Sequence, residues 1–231
     1  MPALINELIA GQTNRARVRD QIATILLVEF ANQQVLATAA SEDPRLWALR
    51  VYLERANPWE DFSDAPDQLD ASPIVNVAYD NANYDMAASN VVERRKATSV
   101  FNVDCYAYGV SAATEAGGHN PGDEQAALEA ERASGLVEQI LMGGAYTYLG
   151  FARGANQVVW RRWVQSVTAF QPQIDSRPVP RVQAVRVALQ VEFSEFSPQV
   201  QGQPMELVHV SVKRKETGQL FFAAQYGEED S

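Results

Sequence analysis

The sequence predicts an α+β fold, with a long helix lying on one face of a largely antiparallel sheet, and three observations carry that expectation. Apolar residues step by three and four along residues 3–39 and again along 120–144. They alternate by two along most of the remaining apolar stretches. Strand-like stretches stand on both sides of the second helix, which suits helices gathered over one sheet face.

Taken in chain order, residues 3–39 read as a helix because Leu4, Ile5, Leu8, Val18, Ile22, Ile25 and Leu26 recur at helical spacing, with a kink expected near Gly11. Arg15, Arg17 and Arg19 mark its solvated side. Residues 1–45 are thus expected to form an N-terminal helical arm, 46–226 the α+β core domain, and 227–231 an acidic tail. Residues 46–54 switch to period two, with Trp47, Leu49, Val51 and Leu53 opposite Arg50 and Glu54. Residues 74–79 and 98–108 continue as strands through Val75, Val77 and Tyr79, then Phe101, Val103, Cys105 and Ala107.

Residues 109–122, rich in Gly, Ser, Ala and Thr, read as a loop. A helix follows, with Asn120 as expected N-cap, Pro121 at its first position and Asp123 and Glu124 at the positive end of its dipole. Leu128, Leu136, Val137, Ile140 and Leu141 form its expected core stripe, and Gly143 and Gly144 end it. Residues 158–168 are apolar on both faces, which predicts either a central strand or one whose second face meets a partner. Residues 182–193 alternate most regularly, with Val185, Val187, Leu189, Val191 and Phe193 inward. Residues 206–215 and 219–226 are expected to pair as a C-terminal β-hairpin around Glu216, Thr217 and Gly218. Extended loops are expected over 55–72, 80–97 and 109–120.

Composition narrows the function classes. The 231-residue chain is 46% hydrophobic, enough for one full core. Its single cysteine, Cys105, excludes an intrachain disulfide and a cysteine-based zinc cluster, and fits a reducing compartment. The apolar run near residues 22–30 is shorter than the roughly 20 residues of a membrane span, so no membrane partner is expected. A net charge of -10 disfavours tight polyanion binding.

Chemistry-bearing residues are sparse. Gly109-Val110-Ser111-Ala112-Ala113 partly matches the nucleophile elbow G-x-S-x-G but lacks its last glycine, and only His119 and His209 could serve Ser111 as a base. A small serine hydrolase is the alternative reading this leaves open. His119 and a nearby carboxylate are too few to hold a metal. Asp61, Asp64, Asp67 and Asp70 recur every third residue, without the spacing, glycine and terminal glutamate of a calcium loop. No phosphate-binding glycine motif occurs. No catalytic residue, metal or cofactor is therefore expected. Arg94-Arg95-Lys96, Trp160-Arg161-Arg162-Trp163 and Lys213-Arg214-Lys215 are basic clusters on separate elements, read as sources of surface or subunit salt bridges.

Pro73-Ile74-Val75-Asn76-Val77, a polar excursion, Lys96-Ala97-Thr98, the run Phe101-Asn102-Val103-Asp104-Cys105-Tyr106, a long helix and Arg186-Val187-Ala188-Leu189-Gln190-Val191-Glu192 follow one another in an order that resembles the tail terminator and related neck proteins of long-tailed bacteriophages. The resemblance covers about residues 70–200 and leaves the first 45 outside it. It implies a non-enzymatic, homo-oligomeric ring subunit, six-fold in that family, in the neck or tail of the virion and assembled in the host cytoplasm. Its implied partners are the tail tube or sheath protein, the head connector proteins, and genomic DNA passing through the lumen without specific binding. Another connector or baseplate subunit is the neighbouring possibility. Ring contacts would then fall on Trp160, Arg161, Arg162 and Trp163 and on His209, Phe221 and Phe222 of the terminal hairpin.

Overall fold

The first helix begins where the chain offers acceptors for its unpaired N–H groups. In the computed structural model, which describes residues 5, 8, 9, 11–62, 72–85, 94–113, 119–154, 156–174, 177–178, 181–197, 208–213 and 220–226, α1 spans Asn14–Ala39. For 112–113, 119–120, 174, 177–178 and the last two segments the description is of backbone only. The Thr13 hydroxyl accepts from the Ala16 N–H at 3.2 Å. The Glu195 carboxylate takes the Asn14 and Arg15 N–H groups at 3.0 and 2.8 Å. The helix therefore starts at Asn14 rather than at residue 3, and Gly11 precedes it instead of kinking it.

The described chain separates into two units, Ala10–Ser197, and Met1–Ile9 with Pro198–Ser231. Helix α1 belongs to the first and is no appended arm: Val18, Ile22, Ile25, Leu26 and Phe30 are buried in the same core as the sheet. By length and composition α1 is also long and apolar enough to cross a membrane, which the nine-residue run read from the sequence did not suggest.

The strands are β1 Arg50–Leu53, β2 Ile74–Tyr84, β3 Arg94–Tyr108, the short β4 Ala112–Ala113 and β5 His119–Asn120, β6 Val159–Phe170, the short β7 Gln173–Ile174 and β8 Arg177–Pro178, β9 Val182–Phe196, and then β10 Val208–Lys213 and β11 Leu220–Tyr226. Five of them make the main sheet in the order β1-β2-β3-β9-β6. Only β1 and β2 run parallel; the other neighbours are antiparallel. The fold class expected from the sequence holds at this level, as a mixed α+β chain with a mostly antiparallel sheet. In the other unit β10 and β11 pair antiparallel, as the hairpin reading expected.

Alternation decides which residues face the helices. Val75 and Val77, Phe101 and Val103, and Val187, Leu189, Val191 and Phe193 line one face and share a core with α1 and with α2, Gly122–Met142. Burying side chains of this size contributes about 1.5–3 kcal/mol each. At one end of the other face, Trp59 and Phe62 of the 3-10 turn Pro58–Phe62 cover Ile74, Tyr106 and Ala184.

Several sequence expectations change. Residues 44–47 form a 3-10 turn, so the first strand is only Arg50–Leu53. Much of the loop expected over 80–97 is strand, because β2 and β3 extend as a long hairpin to Tyr84 and from Arg94. Of the two readings open for residues 158–168, the central strand is excluded, because β6 lies at the sheet edge. The helix stripe is the largest correction. Ala126, Ala130, Ala133, Val137 and Leu141 are buried, Leu136 and Ile140 are partly so, and Leu128 is 61% exposed. Small side chains let the helix approach the sheet closely, with Ala130 packed on Ala107 and Val185. Closest of all are Gly109 and Gly122, where a Cβ on Gly109 would stand 1.7 Å from the Gly122 carbonyl oxygen. Pro121 takes the cap position expected of Asn120 and makes no side-chain cap bond.

Candidate functional site

Ser111 follows the end of β3, in a segment tied to the start of α2. Its hydroxyl accepts from the Gly122 N–H at 3.1 Å, and the Val110 N–H donates to the Gln125 side-chain oxygen at 3.2 Å. The serine thus supplies an acceptor to a helix N-terminus, a structural task. The next residues enter β4 rather than a helix, with Ala113 opposite His119 of β5, unlike the sharp strand-to-helix turn of a nucleophile elbow. His209 stands opposite Gln225 on β10. The side chains of His119, His209, Phe221 and Phe222 lie outside the described residues. Among the described residues no three His, Cys, Asp or Glu side chains gather as a metal site.

Of the periodic aspartates, Asp61 is a hub of internal bonds. The Tyr52 hydroxyl donates to it at 2.6 Å, Arg55 pairs with it at 2.5 Å and Arg50 stands at 3.7 Å. The Arg55 and Tyr52 hydrogen bonds, which outweigh its partial burial, bring its pKa down to about 2. Asp64, Asp67 and Asp70 lie outside the described residues.

Two of the three basic clusters, separate in sequence, meet across β9. The Lys96 ammonium and the Arg161 guanidinium, the latter at 2.8 Å, both pair with the nearly buried Glu192 carboxylate. Burial pushes that carboxyl up, and the two cations reverse the effect and leave it below the ordinary value. Beside them the Trp160 N–H donates to the Ser194 hydroxyl at 2.9 Å, and Arg94 donates to the same oxygen at 2.9 Å while lying 4.5 Å over the indole ring. Arg162 turns to the helix side, where it donates to the Tyr146 and Gly143 carbonyls at 2.6 and 2.7 Å and so closes the C-terminal end of α2. Trp163 is half-buried, 5.8 Å from the Arg161 guanidinium. Trp160 and Arg162 therefore spend their polar atoms inside the subunit. Arg161 and the outer half of β6, residues 165–169, face solvent, with Val167 46% exposed.

A surface on α1 was missed by the sequence reading. Leu27, Val28 and Val35 are 58%, 56% and 68% exposed, on the side opposite the buried Ile22, Leu26 and Phe30. The signal was in the sequence: between Gln21 and Ser41 the only charged residue is Glu29. Alongside, an open groove of about 320 Å³ between α1 and α2 is lined by Gln33, Leu136, Ile140, Gly144 and Tyr146, among others. A cleft of about 440 Å³ near Arg17, Phe151 and Phe196 holds no grouping of nucleophile and base among its described lining residues.

No family model matches this chain, and no curated protein matches it either.

Proposed function

We propose that the chain is a non-enzymatic structural subunit of a bacteriophage neck or tail, in particular a tail terminator that assembles as a homo-oligomeric ring, caps the tail tube and joins it to the head connector proteins. The observation that carries this reading is a subunit with well-formed internal packing in which, among the described residues, the sheet ends on the 12-residue edge strand β6, whose outer half faces solvent. An open edge of that length is a liability in an isolated protein and a ready contact in an assembly. Its two bulges, at Val159/Arg161 and Val164/Ser166, bend the edge away from simple strand addition, which favours a side-chain-mediated contact with a like subunit. A net charge of -10 suits a lumen through which duplex DNA slides without being held.

Mass photometry and negative-stain images of the purified chain, alone and mixed with tail tubes, test the proposal. Closed rings that decorate tube ends are the expected result. A monomer at all concentrations that leaves tubes bare would overturn it. Ser111→Ala should leave assembly intact, and labelling of wild type by a fluorophosphonate, lost in that variant, would replace this reading with a hydrolase.

A further inference from the structure

Helix α1 carries two apolar faces, and among the described residues only one is packed within the subunit. The outer one runs through Thr24, Leu27, Val28, Ala31 and Val35, spaced to fall on one side over three turns. A helix that is apolar all round normally has both sides covered.

We infer that this outer stripe is a head-to-tail contact surface, and that its occupant is the groove between α1 and α2 of a second copy of the same chain. The inference rests on the homo-oligomer part of the function proposed above and names the surfaces that would build it. Three observations favour a second copy. The stripe is uncharged while the chain carries a net charge of -10, so copies that repel elsewhere meet here without like-charge contact. The Glu29 carboxylate lines the groove into which that stripe would dock, and it already accepts a hydrogen bond from the Tyr146 hydroxyl there. And an open groove stands on the same subunit, with the partly buried Leu136 and Ile140 among its lining residues.

A lipid surface fits less well. Interfacial helices hold basic residues ready for headgroups, whereas Arg15, Arg17 and Arg19 of α1 are engaged with Tyr79, Asn14 and Phe151, and Asp20 and Glu54.

Stripe and groove lie on different sides of α1, so the contact joins unlike patches. Such a contact leaves one stripe and one groove open at the ends of any chain of subunits and satisfies all of them only in a closed ring.

Two variants separate the halves of the contact. Val35→Glu puts a charge in the exposed stripe. Gly144→Phe fills the groove, at a position where an added Cβ meets no atom within 4 Å. Circular dichroism spectra like that of wild type, with a cooperative thermal transition, establish that both fold. Sedimentation velocity is then expected to show wild-type oligomers, each variant alone shifted to monomer with its assembly midpoint raised at least about tenfold, and a one-to-one mixture stopping at a dimer, because one variant keeps its groove and the other its stripe. Wild-type assembly in both variants overturns the inference and leaves the ring reading standing. Loss of assembly in Val35→Glu alone overturns the groove as occupant in favour of stripe against stripe. A monomeric wild type overturns this contact and the ring together, and if that monomer floats with anionic vesicles the stripe belongs to lipid. Oligomers that obey the mixing rule but ignore tail tubes support the contact while removing the tail-terminator assignment.

Discussion

Removing the Glu195 carboxylate should loosen the attachment of α1 to the sheet more than any surface substitution would. The Glu195→Ala variant leaves the Asn14 and Arg15 N–H groups, at 3.0 and 2.8 Å in the native chain, without their acceptor. Hydrogen bonds to a charged group contribute about 1.5–3 kcal/mol each, and the helix dipole adds to the same interaction rather than to a separate one. Glu195 is only 7% exposed, so water cannot readily replace it on the sheet side. Arg15 is more open, and the Asn14 side chain keeps its own bond to the Ser194 carbonyl at 2.8 Å. The net loss should therefore be about 2–4 kcal/mol, which for a chain of this size lowers the melting temperature by roughly 4–16 °C. Glu195→Gln, with one acceptor oxygen and an NH2 facing an N–H, should recover less than half. Urea unfolding followed by circular dichroism, with the slope checked for constancy, gives the comparison. A Glu195→Ala midpoint indistinguishable from wild type would refute the cap as a stabilising element.

Other expected outcomes follow from single sites. Gly109→Ala should cost about 2–4 kcal/mol by forcing β3 and α2 apart, whereas Gly135→Ala, whose Cβ meets nothing within 4 Å, should stabilise α2 by about 0.5–1 kcal/mol; chemical denaturation of the pair reads both. Asp61 is held at about 2, below the ordinary 3.8, so its contribution is complete above pH 4 or so and is lost as the pH falls through the folded value. Asp61→Asn should accordingly flatten the stability profile between about pH 4 and pH 2, and an unchanged profile would contradict the Arg55 and Tyr52 bonds. Burial, with the Asp104 charge beside it, pushes the Cys105 thiol up, so a disulfide exchange reagent near pH 8 should leave the folded chain unlabelled and react fully once urea unfolds it.

Strict alternation made β9 legible, because each of Val185, Val187, Leu189, Val191 and Phe193 is buried as its parity requires. Helix α2 was legible as a helix but not in its orientation. Leucine weighs more than alanine in a periodicity reading, yet close packing on the sheet selects Ala126, Ala130 and Ala133 and turns Leu128 outward. The start of α1 depended on Glu195, whose proximity to Asn14 no local pattern reveals. In the same way the meeting of Lys96 with Arg161 over Glu192 became visible only once β9 was known to lie between β3 and β6. The position of β6 at an edge was hidden because the side-chain pattern reports which faces of a strand are apolar and not how many strands lie beside it.

Strands β3 and β9 share a 15-residue ladder that joins Arg94 to Phe196 and Tyr108 to Val182. During synthesis on the ribosome, β3 emerges long before its second neighbour exists and has only β2 to pair with. For that interval the unpaired N–H and C=O groups along its other edge are an open template for foreign strands, while Phe101, Val103 and Cys105 on one face meet a half-built core. Pairings so distant along the chain are slow to close. The nascent protein should therefore mature late, lean on chaperones while residues 109–181 are being made, and gain its helix-covered sheet in one concerted step when β9 slides into place.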